Sequence, residues 1–174
     1  TITFTVASSG SAPVAVNDTD SINEGATEDV KSDMNHLLND DTDADSDSLV
    51  VTHIGTGSNS DQAVSSGTNY DTGTSITTSY GTLIVGADGT YRYTASGSAS
   101  NALADGETAT DTFTYTISDG NGGTDTATLI YTITGVNDNP SATNDTGYIQ
   151  EGKTLTVADG ASANDADSDS DNNS

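Results

Sequence analysis

Apolar and polar residues alternate in several segments of the chain, which is the pattern of half-buried β-strands. Apolar side chains occupy every second position over 112–117 and 126–133, mostly with threonine between them. The same alternation occurs over 1–6 and in two short runs on either side of Asp88-Gly89. That Asp-Gly pair predicts a hairpin with a type I′ turn. Shorter strands are predicted at 13–17, 27–31 and 49–54.

The chain shows almost no helical periodicity, and only a short turn is expected near 34–38. The segment 118–123 predicts a second hairpin turn, because it is rich in glycine, aspartate and asparagine. The polar segment 56–73 predicts a long loop with an irregular strand near Tyr70. About seven or eight short strands separated by turns favour an all-β fold, an antiparallel β-sandwich.

The sequence contains an internal repeat of domain size. The segment 12–18 returns at 139–145, and the Asn-Glu-Gly of 23–25 returns as Gln-Glu-Gly at 150–152, both at an offset of 127 residues. Such a period indicates tandem domains along an extended chain. Residues 1–11 are expected to be the end of one repeat, and 12–136 one complete sandwich. Residues 137–174 are expected to be a linker and the incomplete opening of the next repeat, with a mobile end.

The composition is unusual for a folded protein. Leu, Ile, Val and Phe number 28 of 174 residues, and the net charge is −24. This balance excludes nucleic acid as a partner, because phosphate binding needs clustered Lys and Arg. No apolar run approaches the ~18 residues of a membrane-spanning helix, and there are no cysteines. The acidic side chains are mostly Asp, a short carboxylate that suits a hard cation with oxygen ligands.

Three runs make a family resemblance specific. The three runs are YGTLIVGADGTYRYTA, LADGETATDTFTYTISDGNGGTDTATL and ITGVNDNPSATND. They resemble the VCBS repeat, one of the cadherin-like modules of giant bacterial adhesins secreted by type I systems. The resemblance covers about 12–145. It implies a Greek-key sandwich of the cadherin/immunoglobulin type, calcium binding, end-to-end tandem repeats, an extracellular location and a role in adhesion or as a stalk.

Acidic motifs are expected to gather at the two ends of the sandwich. One end collects the loop after the second strand and the loop before the last strand, whereas the other end collects the outgoing linker. Calcium takes about 6–8 oxygen ligands, so carboxylates and linker groups can share an ion. The predicted calcium ligands at the first end are Asp43, Asp45, Asp47 and Asp119. Those at the second end are Glu24, Asp105, Glu107, Asn137, Asp138 and Asn139, and Asp167 and Asp169 belong to the next repeat.

Other readings of the same residues fit less well. An EF-hand beginning at Asp43 would have Ser48 at position six and Ile54 at position twelve, instead of the required Gly and Glu. The acidic run 40–47 could also be a solvated loop. His36 and His53 lie in separate segments and make a poor zinc pair. No nucleophile elbow or phosphate loop is present, so the chain is not expected to be an enzyme.

Three functions remain open from the sequence. The leading hypothesis is a calcium-rigidified spacer repeat of a large bacterial surface adhesin, which contacts neighbouring repeats of the same chain. A second is a module that binds glycans or a host or neighbouring cell surface through 56–73. A third is a fibre subunit in which the strand 1–6 complements a neighbouring unit.

Overall fold

The computed structural model describes residues 10–32, 35–57 and 62–139, and within them it contains nine strands and no helix. The strands form two sheets that pack face to face, so the predicted all-β sandwich is confirmed. The strands are β1 (Asp18–Asn23), β2 (Thr27–Val30), β3 (Val50–Thr56), β4 (Gln62–Ala63), β5 (Thr74–Thr77), β6 (Thr82–Val85), β7 (Tyr91–Thr94), β8 (Thr108–Ser118) and β9 (Thr124–Thr134).

One sheet has the strand order β1-β9-β8-β3-β4 and the other has the order β2-β7-β6-β5. The chain therefore passes between the sheets four times, from β1 to β2, β2 to β3, β4 to β5 and β7 to β8. All pairs are antiparallel except β1 with β9, which run parallel with Asp18 opposite Leu129. The parallel pair lies at one edge of the otherwise antiparallel sandwich, where β1 runs in the same direction as the last strand.

The core is built by the inward face of each alternating strand, as the sequence pattern predicts. Phe113, Tyr115 and Ile117 of β8 are completely buried, as are three alternate residues of β9 beginning at Leu129. Two further tyrosines, Tyr91 and Tyr93, are buried with them, and the rings of Tyr93 and Tyr131 stack with their centroids 4.3 Å apart. Aromatic rings fill the space that so few aliphatic side chains could not fill.

The first strand lies outside the predicted segment. Residues 13–17 form no strand; Val14 makes only an isolated bridge with Thr42, and the strand begins at Asp18. The alternation of β1 places Asp18 in the core, where the sequence gives no apolar signal. The prediction failed because the first two inward positions of β1, Asp18 and Asp20, are acidic and lie within hydrogen-bond distance of buried tyrosine hydroxyls.

Two loop predictions also need correction. No strand forms near Tyr70, which lies in a turn; β4 and β5 flank the loop instead. The β6–β7 hairpin is confirmed, but its loop spans 86–90, and Gly89 has a φ of 81° while Asp88 has no positive φ. A two-residue type I′ turn needs positive φ at both positions, so that turn type was wrong. The strand expected at 1–6 falls outside the described residues.

Candidate metal centre

One end of the sandwich brings together the loop that precedes β3 and the hairpin loop between β8 and β9. Carboxylate oxygens of Asp43, Asp47 and Asp119 all lie within 4.8 Å of one another there, and we call these three residues the carboxylate cluster. The sequence predicted that these loops would meet. The convergence follows from the topology, because β3 is paired with β8 and Val50 lies opposite Ser118.

The loop around Asp43 is folded on its own side chain. Asp43 Oδ1 accepts hydrogen bonds from the backbone N–H groups of Asp45 at 2.8 Å and Asp47 at 3.2 Å. The carbonyl of Asp43 also accepts from the N–H of Ser46, which adopts a φ of 63°. A left-handed conformation is uncommon for a residue other than glycine. The turn places the side chains of Asp43 and Asp47 on the same side of the loop.

Asp119 is held in the cluster by its own hairpin loop. Its Oδ1 atom accepts hydrogen bonds from the N–H of Asn121 at 2.7 Å and from the N–H of Gly123 at 2.9 Å. The side chain is only 5% exposed. A Cβ at position 123 would lie 2.4 Å from Asp119 Oδ2, so only glycine lets the carboxylate occupy this position.

Two oxygens of the carboxylate cluster are buried without a hydrogen-bond partner: Oδ2 of Asp43 and Oδ2 of Asp119. A buried carboxylate oxygen that lacks a donor costs free energy, and three neighbouring negative charges add mutual repulsion. A cation among these oxygens would remove both costs. The donor set consists of oxygen atoms alone, which suits a hard cation such as calcium.

Asn121 is a member of this site that the sequence reasoning missed. Its side-chain Nδ2 donates to Asp47 Oδ2 at 2.8 Å, so it joins the two loops directly. The signal was present in the Asp-Gly-Asn-Gly-Gly turn, but this stretch was interpreted only as a turn with one candidate ligand at Asp119. An asparagine here adds an amide to the cluster without adding a fourth charge.

Asp45 lies outside the carboxylate cluster and contacts the incoming chain. Its Oδ2 accepts a hydrogen bond from the N–H of Ser11, and a Cβ at Gly10 would be 3.2 Å from the same oxygen. Asp45 is exposed, and the structure does not bring its carboxylate into the group of three. The segment at Gly10 and Ser11 therefore lies beside the candidate metal centre.

At the opposite end the predicted residues share a region, but their carboxylates do not converge as closely. Glu24 Oε1 accepts from the N–H of Val136 at 2.6 Å, while Glu24 Oε2 is buried without a hydrogen-bond partner. Glu107 Oε2 accepts from the N–H of Ala104, and the side chains of Asp105 and Glu107 are exposed. Within 10–32, 35–57 and 62–139, the carboxylate cluster is the only group of three acidic or histidine side chains within 4.8 Å.

The remaining predicted ligands lie on the outgoing segment. Asn137 and Asn139 are exposed and Asp138 is half-buried, and Asn137 Nδ2 donates to the carbonyl of Asp138 at 3.1 Å. Asp167 and Asp169 lie outside the described residues. The ligand role of the outgoing segment stays a prediction.

Residues 10–135 match the family model of the bacterial cadherin-like domain. The chain belongs to this family. Bacterial cadherin-like domains are non-enzymatic structural or adhesion modules, they are typically extracellular, and they generally bind calcium. Across the described part of the chain, no helix combines the length and the apolar character needed to cross a membrane.

No curated protein sequence matches the chain. Among solved structures, the cadherin-like chain is similar to a nucleoside hydrolase-related hypothetical protein from Saccharophagus degradans that is associated with carbohydrate metabolism. The two share 16% identity with a TM-score of 0.37, and the similarity covers 72% of this chain and 26% of that one. The chain thus spans about a quarter of the length of that protein.

Proposed function

We propose that this cadherin-like domain is a calcium-rigidified spacer repeat of a large bacterial cell-surface adhesin, which holds distal binding domains away from the cell. The observation that carries the proposal is the pair of buried, unpartnered oxygens of Asp43 and Asp119 inside the carboxylate cluster. A structure selected only for stability would supply donors to those atoms, because leaving them unpaired costs about 1–3 kcal/mol each.

Calcium is the cation that these residues suit best. Asp43, Asp47 and Asp119 would supply carboxylate oxygens. The amide oxygen of Asn121 and backbone carbonyls near Gly10 and Ser11, which lie beside Asp45 and Asp47, would complete a shell of about 6–8 oxygens. Extracellular modules bind calcium at about 10⁻⁴–10⁻³ M, so such a site fills outside the cell and stays empty in the cytosol. This difference supports secretion as an unfolded chain, which is the expectation for a type I-secreted adhesin.

Both ends of the domain connect their acidic side chains to the entering and leaving chain. Asp45 accepts from Ser11 at the entrance, and Glu24 accepts from Val136 at the exit. Ion binding would therefore order the junctions as well as the loops, because the same loops hold the ligands and the linkers. A series of such junctions gives a stiff rod from domains that would otherwise repel one another.

The test is a calcium titration of a protein that carries two consecutive repeats, followed by calorimetry and small-angle scattering. We expect a higher melting temperature with calcium than with EDTA, and smaller particles in scattering with calcium than with EDTA. Magnesium at the same concentration is the control, since it prefers a smaller, octahedral and largely hydrated site. Unchanged melting and unchanged particle length in EDTA would refute the calcium-spacer function.

One observation favours the alternative function of glycan binding. The loop predicted to carry that role borders a hollow of about 250 Å³. Its lining residues are Val50, Gly67, Thr68, Asn69, Ala87 and Asp88. Against this alternative, no aromatic ring lines the hollow, and the ring of Tyr70 is covered by the guanidinium of Arg92 at 5.0 Å. Binding on a glycan array by a single repeat, lost on shortening 56–73, would favour the adhesive module over the spacer.

The strand-complementation alternative depends on 1–6 and stays a prediction.

A further inference from the structure

The phenol of Tyr115 joins three segments of the chain in the interior. Its hydroxyl oxygen lies 2.7 Å from Asp18 Oδ2, 2.8 Å from the carbonyl oxygen of Val16 and 3.3 Å from the carbonyl oxygen of Leu37. Tyr115 is completely buried and Asp18 is 6% exposed. The contact therefore links β8 to the start of β1, to the segment that enters the domain, and to the loop before β3.

The number of protons available at this contact determines whether the carboxyl group of Asp18 is protonated. A phenol carries one proton, and a carbonyl oxygen carries none. Two of the oxygen–oxygen distances, to Asp18 and to Val16, are those of good hydrogen bonds, and each needs a proton between its oxygens. Tyr115 can supply only one of the two. The second proton must be on the carboxyl group of Asp18, which then donates to the phenol while the phenol donates to Val16.

Another buried aspartate in the same core shows the opposite arrangement. Asp111 is 5% exposed, and its Oδ2 accepts from the hydroxyl of Tyr93 at 2.7 Å and from Thr78 Oγ1 at 2.6 Å. Each of these contacts has its own hydroxyl proton, so neither requires one from the carboxyl group. Asp18 and Asp111 are thus a matched pair, with similar burial and a tyrosine contact each but with opposite hydrogen-bond roles.

We propose that Asp18 is a proton-binding site: it is a neutral carboxylic acid in the folded domain, and its ionisation weakens the attachment of the entering segment to β8. The ligand is the proton itself. When Asp18 loses it, the single hydrogen of Tyr115 must satisfy either the carboxylate or the carbonyl of Val16, and the other contact becomes a repulsion between two acceptors.

The surroundings of Asp18 favour the neutral form. The charged and titratable groups that act on it come from β1, the loop before β3, β7 and β8, and within the described residues none of them is basic. These groups are Asp20, Asp40, Asp41, Tyr91 and Tyr115. Burial is the largest cause that raises the pKa of Asp18, to about 7 from 3.8, and the charges of the three aspartates raise it further. A hydrogen bond donated by Tyr115 to the carboxylate would lower the pKa, but the carbonyl of Val16 competes for that hydrogen.

The sign of the pH dependence follows from these values. A carboxyl group whose pKa is higher in the folded than in the unfolded state stabilises the fold most below the unfolded value of 3.8, and this contribution is lost as the pH rises to about 7. Each unit of pKa difference corresponds to a factor of ten in the folding equilibrium. The contribution of Asp18 should therefore fall by up to about 1,000-fold across that window.

The test compares urea unfolding of the full chain with that of the variants D18N and D111N from about pH 4 to about pH 8.5. D18N keeps a donor toward Tyr115 but cannot ionise. We expect the wild-type folding equilibrium constant to fall relative to that of D18N by about tenfold per pH unit between the two pKa values. At the alkaline end D18N should be at least as stable as wild type, whereas D111N should be less stable throughout. A D18N curve parallel to that of wild type, or D18N tenfold less stable at the alkaline end, overturns the proposal.

A second measurement does not depend on the variants folding well. Infrared difference spectra of wild type should show the C=O stretch of a neutral carboxylic acid at about pH 5.5, after free carboxyls have ionised. The component of this band that disappears with a midpoint near 7 should be absent in D18N. A component from Asp41, whose pKa burial raises to about 6, should remain in that variant. No such band in folded wild-type protein refutes the proposal. Both experiments are run with calcium and with EDTA, which separates this site from the calcium-spacer function. Asp18 contacts none of the proposed calcium ligands. We therefore expect Asp18 to titrate in either buffer, provided that the chain is folded.

Discussion

Replacing Asp47 with asparagine should make the calcium-free domain more stable. At 4.8 Å, two unit charges repel by about 0.9 kcal/mol in bulk water and by about 3.5 kcal/mol at an effective dielectric constant of ~20. Asp47 belongs to two of the three pairs in the carboxylate cluster, so removing its charge relieves about 2–7 kcal/mol before screening. Because Asp43 and Asp47 are only half-buried, solvent reduces this value, and we expect a gain of about 1–2 kcal/mol in EDTA.

The same substitution should weaken the response to calcium. At a calcium concentration about 100 times the Kd, binding stabilises a one-site protein by about 2.7 kcal/mol. If loss of a carboxylate ligand raises the Kd tenfold, the calcium increment of D47N falls to about 1.4 kcal/mol. Asparagine retains an oxygen that can accept a hydrogen bond from Asn121, so the loop contact at 2.8 Å is preserved. The comparison of D47N with wild type therefore does not include the loss of this hydrogen bond.

The assay is thermal and urea unfolding of wild type and D47N, each with EDTA and with saturating calcium. In EDTA the melting temperature of D47N should exceed that of wild type by about 3–8 °C. D45N is the matched control, because it removes the same charge from the same loop but its carboxylate lies outside the carboxylate cluster. We expect D45N to stay within about 0.5 kcal/mol of wild type in EDTA. D47N less stable than wild type in EDTA, or indistinguishable from D45N, would show that the cluster is not electrostatically strained.

Two further predictions concern other parts of the domain. Glu24→Ala removes the buried acceptor of the Val136 N–H, so the free energy of unfolding should fall by about 1–3 kcal/mol and hydrogen exchange at Val136 should become faster. Unchanged exchange at Val136 would count against the role of Glu24 at the exit. Arg92→Met removes the nearer of the two cations over the Tyr70 ring and two surface ion pairs, while Lys31 stays over the ring. The change should alter global stability by less than about 1 kcal/mol and speed proteolysis within 64–73. Proteolysis at the wild-type rate would show that Arg92 does not hold this loop.

The long strands and one metal-site hypothesis could be read from local patterns. Alternation over 112–117 and 126–133 predicted most of the length of β8 and β9, because a strand with one buried face needs an apolar residue at every second position. The acidic loop at 40–47 and the turn at Asp119 were predicted to meet, and they do. This succeeded because loops at one end of a sandwich must lie close together once the strands are paired.

Polar contacts across the core could not be read in the same way. Asp18 and Asp20 occupy the first two inward positions of β1 and only the third, Ile22, is apolar, so one apolar residue was too weak a signal and the position of the strand was missed. Whether such a strand forms depends on Tyr115 and Tyr91, which are about 70 to 100 residues away and supply the hydroxyls. The meeting of Asn121 with Asp47 likewise depends on two loops whose separation only the folded chain defines.

The sequence by itself determined the class of fold, the repeat and the abundance of oxygen ligands, since these depend on periodicity and composition along the chain. Only the tertiary structure decided which carboxylates are costly and which are not. Asp45, Asp47 and Asp119 look alike in the sequence, as do Asp18 and Asp111. Their roles differ because the energy of a carboxylate depends on its burial, on the donors within reach and on neighbouring charges, and the packing of distant strands sets all three.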